Sequence, residues 1–195
     1  MKEKKLTHEQ IHKITLVGIL TALAIVLAAM PIPGLAGSPL TLILPVIVIT
    51  GAICNPWVAA WITVIPSIIY TFRDAQLFLP YSPFGCILTM IAKGLLAGFI
   101  SSLIYKMIAK KHPRLAVFTS SALAPVINSG VFLIGAYLFF WGALENIAFT
   151  NNVSMVELML GLVGINFATE IVINIVLCPT ILRIINIGKK ESNPT

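Results

Sequence analysis

Apolar residues run along most of this chain, and the breaks between the runs are short, polar or marked by proline. A membrane-crossing helix needs about 20 mostly apolar residues. On that measure the pattern predicts six helices, at Ile11–Ile32, Leu40–Ile53, Pro56–Phe72, Pro83–Ile108, Leu115–Trp141 and Val156–Ile187. The first stops at Pro31-Ile32-Pro33-Gly34. The second and third are short, and Cys54-Asn55-Pro56 divides them because proline disfavours the helical state in the residue before it. Five helices with one long bent segment is the alternative. Glu145 to Ser154 reads as a polar outer loop and carries the sequon Asn152-Val153-Ser154. The expected fold is therefore an all-α integral membrane protein in one domain. Residues 1–10 form a tail, 11–187 a six-helix bundle and 188–195 a second tail.

Composition supports lipid as the solvent. Of 195 residues, 58% are hydrophobic and 10% charged, and the mean hydropathy is +0.98. A soluble domain carries roughly 25% charged residues. A net charge of +6 would suggest nucleic acid in a soluble protein, but its placement argues otherwise. Lys2, Lys4, Lys5 and Lys13 precede the first helix, Lys106, Lys110, Lys111 and Arg114 lie between the fourth and fifth, and Arg183, Lys189 and Lys190 end the sixth. Six helices put all three clusters on one side, which the positive-inside rule makes cytoplasmic, with both termini inside. Five would place the third cluster outside. The charge therefore describes topology. Trp57, Tyr81 and Trp141 fall near helix ends, where amphipathic rings prefer the interface.

Candidate chemistry is sparse. His8-Glu9-Gln10-Ile11-His12 matches the zinc-protease pattern H-E-x-x-H, but no third ligand follows at a usual spacing. A helix start, with Thr7 as N-cap and Gln10 completing a capping box, accounts for it more simply. Cys54, Cys86 and Cys178 form no CxxC pair and read as small buried hydrophobes. There is no phosphate-binding glycine loop and no plausible Ser/His/Asp set. No enzyme, metal site or cofactor is expected.

Polar groups within the apolar runs carry more information. Lys93 lies about halfway along the fourth predicted helix, and a lysine at the centre of a lone membrane helix costs about 2.5–3.5 kcal/mol. Glu170 lies at similar depth in the sixth, in a stripe with Asn166 and Asn174 at spacings of four. Asn128 sits in the fifth, one turn from Pro125, which frees a backbone carbonyl at that level. A Lys93–Glu170 ion pair fixing the packing is one reading. A substrate cavity is the other, and it also explains the asparagines and the proline. Arg73 either closes such a cavity and attracts an anion or is a solvated loop charge beside Asp74. The small pairs Ala24-xxx-Ala28 and Gly94-xxx-Gly98 let helices approach closely, within the chain or in another subunit.

Several segments together carry a family resemblance. They are Lys13 to Leu20 leading into the alanine-rich first helix, the Pro-Gly loop from Pro31 to Gly37, and Ile91 to Phe99 around Lys93. Ala124 to Phe132 around Asn128, followed by Leu138-Phe139-Phe140, and Asn166 to Val172 complete the set. In these the chain resembles the substrate-binding S components of energy-coupling-factor (ECF) transporters, the vitamin importers of bacterial plasma membranes. The resemblance implies a six-helix fold holding one vitamin near the outer face, covered by the first loop and lined by helices four to six. It implies a membrane T subunit and two cytoplasmic ATPases as partners, contact with the T subunit through Ala24 and Ala28, and toppling in the membrane to release the ligand inward. The pattern in helices five and six looks most like pantothenate members. Lys93 or Arg73 would meet a carboxylate, with Asn128, Asn166 and Glu170, and Asn174 in the same stripe, for hydroxyls and an amide. Riboflavin and folate carriers share the fold, and a self-sufficient secondary transporter is the alternative from another class.

Overall fold

The computed structural model describes residues 8–30, 41–76 and 78–192. Among them the chain is entirely helical: α1 His8–Ala29, α2 Leu44–Ile53, α3 Pro56–Trp61, α4 Val64–Asp74, α5 Pro83–Ala109, α6 Pro113–Phe139, α7 Trp141–Thr150, α8 Met155–Met159, a π turn at Leu160–Gly164, and α9 Ile165–Ser192. Among the described residues, three stretches are long and apolar enough to cross a membrane: Pro83–Ala109, Pro113–Phe139, and the continuous α8–π–α9 helix over Met155–Gly188. Lys13–Ala29 and Leu44–Ile53 are shorter apolar helices.

α2 is the centre of the bundle. Nine of its ten residues, Leu44 to Ala52, are buried, and it packs against α5, α9, α3 and α6. A helix apolar on every side belongs in a core. Its approach to α5 is close because Gly51 faces Ser102, where a Cβ would meet the Ser102 Oγ. Gly98 on α5 crosses α3 so tightly that a Cβ would lie 2.5 Å from the Ala59 carbonyl oxygen. Gly94 does the same toward Thr63 and Ser67. The Gly94-xxx-Gly98 spacing thus serves packing within the chain. Several buried hydroxyls bond the preceding turn, as Thr50 does to Val46 O at 2.8 Å and Ser102 to Gly98 O at 2.6 Å, which lets them tolerate the apolar setting.

The structure redraws two expected elements. The predicted helix at Pro56–Phe72 is two helices, broken at Ile62–Thr63. Pro66 has no N–H to offer the Ile62 carbonyl, and it stands in the first turn of α4, where that donor is not needed. The outer segment read as a loop is mostly α7, with Ala143, Leu144 and Ala148 buried. Asn152 takes a left-handed turn at φ 53°, and Ser154 and Glu157 then form a reciprocal capping box that starts α8. Asn55 caps α3, accepting from the Val58 N–H at 2.8 Å with Pro56 at the first helical position. Thr7 and the side chains of His8, Glu9 and His12 lie outside the described residues, as does the Pro31–Gly37 loop.

Candidate functional site

Lys93, Asn128, Asn166 and Glu170 line one small polar chamber of about 90 Å³, together with Thr41, Ser129, Phe132, Val163 and Phe167. Three elements supply the predicted residues. α5 brings Lys93, α6 brings Asn128 and Phe132 one turn apart, and α9 brings Asn166 and Glu170 at a spacing of four. Thr41, just ahead of α2, closes the fourth side. A second crevice shares Thr41, Lys93 and Asn128 and runs down beside Ile43, Leu44 and Tyr70.

Each polar group has a distinct setting. The Thr41 backbone N–H donates to Glu170 Oε1 at 2.9 Å. Glu170 is 5% exposed, so this bond gives a buried carboxylate a dipole to hold it. Lys93 Nζ lies 5.5 Å from the Phe132 ring centroid and 5.9 Å from that of Tyr70, which gives the cation two aromatic faces. Asn128 is 6% exposed and makes no side-chain hydrogen bond among the described residues. Its amide offers donors and an acceptor to whatever fills the chamber.

Two further candidates lie elsewhere. Asn174 is one turn beyond Glu170, is 1% exposed and is not among the residues that line the chamber or the crevice beside it. Its Nδ2 donates to the Glu170 carbonyl at 2.8 Å, and its Oδ1 has no partner among the described residues. Arg73 also stands outside the chamber. Its guanidinium donates to the carbonyls of Ala28 and Met30 and lies 5.1 Å from the Tyr70 ring centroid. It therefore ties the end of α4 to the C-terminus of α1, where carbonyls lack helical partners.

Ala24 and Ala28 are fully buried in the core of the chain, where α1 meets α4 and α2. The outward face of α1 is a different stripe, with Gly18, Ala22 and Ala29 set among Ile14, Ile19, Leu23 and Val26. A Cβ on Gly18 would touch nothing within 4 Å. Gly18-xxx-Ala22 is thus the small pair that α1 presents outward.

The sequence did not single out Thr41, Tyr70 or Phe132. Phe132 was visible only as the residue one turn after Asn128, and Thr41 carried no signal, since a backbone N–H belongs to every residue but proline.

Comparison with known proteins gives one match. No curated protein and no solved structure matches the chain. A family model described as ECF transporter, substrate-specific component, matches residues 12–182, which takes in α1 through most of α9 and every chamber residue. The chain belongs to the family of substrate-specific components of ECF transporters.

Proposed function

We propose that the chamber around Lys93 captures a small carboxylate vitamin, with pantothenate as the cargo. The observation that supports this is the meeting of one cation and three amide or carboxylate side chains from three helices in a single cavity. Lys93 would hold the carboxylate, and Asn128 and Asn166 the amide and hydroxyls. Glu170 accepts a second donor while anchoring Thr41. Phe132 and Phe167 are the aromatic residues among those that line the chamber, few to stack the large planar ring systems of riboflavin and folate.

On this reading the chain lies in a bacterial plasma membrane with both termini cytoplasmic and works with a T subunit and two ATPases. The T subunit would meet the outward Gly18–Ala22 face, because Ala24 and Ala28 are occupied by the chain's own core. Mass spectrometry of small molecules released from the purified chain is the direct test. Stoichiometric pantothenate is expected, and a different bound metabolite would replace it as the cargo. Uptake by the isolated chain in liposomes without ATPases would overturn the S-component role.

A further inference from the structure

Two aromatic rings lie against the Lys93 ammonium, and one of them stands outside the chamber. Nζ is 5.5 Å from the Phe132 ring centroid and 5.9 Å from that of Tyr70. Phe132 lines the chamber, whereas Tyr70 lines the crevice beside it. That crevice has about 10 Å³ of room, close to the space one water needs, so a cargo held in the chamber does not reach the Tyr70 ring. Whatever Tyr70 does for binding passes through the lysine.

The local sequence explains how the ring comes to lie there. Tyr70 is 4% exposed and Ser67, one turn earlier on α4, is buried with it, while Ile65, Ile68 and Phe72 of the same helix are exposed. α4 packs against α5 and α1. The residue after Lys93 is Gly94, where a Cβ would lie 2.7 Å from Ser67 Oγ and 2.9 Å from Thr63 Oγ1. A side chain at that position would push α5 away from α4 and lift Lys93 from Tyr70. Arg73, one turn after Tyr70, lies 5.1 Å from the centroid of the same ring. The carbonyls of Ala28 and Met30 hold its guanidinium, so the Tyr70 ring is tied to the end of α1 as well as to its own helix.

A lysine carries a compact, strongly hydrated charge on a long flexible stem. In an apolar bundle such a side chain turns toward water unless something holds it. Cation–π attraction acts within about 6 Å of a ring centroid and strengthens where the cation is desolvated. Resting on the cargo reading above, we infer that Tyr70 is a positioning residue: its ring keeps the Lys93 ammonium at the chamber wall, set for a carboxylate, without touching the cargo. A charge already in place when the anion arrives loses less freedom on binding, which raises affinity.

Pantothenate and pantothenol separate this role from simple packing, because pantothenol carries a neutral hydroxymethyl group in place of the carboxylate. Both would be titrated calorimetrically into the purified full chain, into Tyr70→Leu and into Tyr70→Phe. Comparing two ligands on one preparation removes differences in how well each variant folds. The unmodified chain should prefer pantothenate by roughly ten-fold or more. In Tyr70→Leu that preference should fall by roughly two-fold or more, through weaker pantothenate binding with pantothenol unchanged. Tyr70→Phe keeps the ring and should keep the preference. Equal loss of both ligands in Tyr70→Leu would make Tyr70 a packing residue. An unchanged or larger preference there would remove it from the site, and a loss in Tyr70→Phe as well would take the role away from the ring. Each of these overturns the inference and leaves the cargo reading intact. If the unmodified chain binds both compounds alike, or neither, the carboxylate contact at Lys93 fails and the role of Tyr70 with it.

Discussion

Replacing Lys93 with methionine separates a ligand contact from a packing device, because the two roles predict opposite changes in stability. Lys93 is about midway along the 27-residue α5 and lines both the chamber and the crevice below it. Placing a lysine at the centre of a lone membrane helix costs about 2.5–3.5 kcal/mol, an upper bound for a side chain that opens onto a cavity. Methionine has similar length and removes that cost, and Glu170 keeps the Thr41 N–H. Thermal unfolding in detergent should therefore stay where it was or rise. Binding should weaken, because a hydrogen bond to a charged group contributes about 1.5–3 kcal/mol, or roughly 10- to 150-fold in affinity for pantothenate. If the lysine instead serves to pair Glu170, its removal leaves an uncompensated buried carboxylate and costs about 3–5 kcal/mol. A midpoint lower by roughly 6–20 °C, with unchanged affinity in the folded fraction, would refute the ligand role.

Three other outcomes are expected. Glu170→Ala removes the acceptor of the Thr41 N–H and should weaken pantothenate binding roughly ten-fold or more, whereas Glu170→Gln keeps an acceptor oxygen and should lose less, as titration calorimetry would reveal. Gly98→Ala drives a Cβ into the Ala59 backbone and should cost about 1–3 kcal/mol, lowering the melting midpoint by roughly 2–12 °C. Gly18→Leu, where the added side chain meets open space, should leave melting and cargo binding unchanged while abolishing copurification of the T subunit; intact copurification would remove that face from the interface.

The long helices were legible because length and hydropathy suffice for them: α5, α6 and α8–π–α9 begin and end within a few residues of their expected bounds. So was the level at which Lys93, Asn128, Asn166 and Glu170 meet, since helical spacing and depth can be counted along a sequence. The shorter elements depended on signals that compete. Pro66 breaks α3 from α4 but looks like an ordinary proline in an apolar run. Ser154-x-x-Glu157 is a readable capping box, yet the polar residues around it gave the impression of a loop. The inward and outward faces of α1 could not be separated, because alanines occur on both and only the packing of α4 and α2 decides between them. Arg73 could not be placed either, because its acceptors are backbone carbonyls 45 and 43 residues away, and carbonyls leave no trace in a pattern of side chains.

The shortness of α2 has an electrostatic consequence. Ten residues rise about 15 Å, half of a bilayer core, so this buried helix ends inside the protein rather than at a membrane surface. Its N-terminus lies toward the site: Ile43 and Leu44 border the crevice that Lys93 also lines, and no side chain caps it. A helix N-terminus carries roughly half a positive charge. Surrounded by apolar helices, that field is poorly screened and adds to the lysine's. An anion bound in the chamber would meet two positive sources against the one negative charge of Glu170, and no single side-chain substitution removes the helix end, so its capture should depend only weakly on salt.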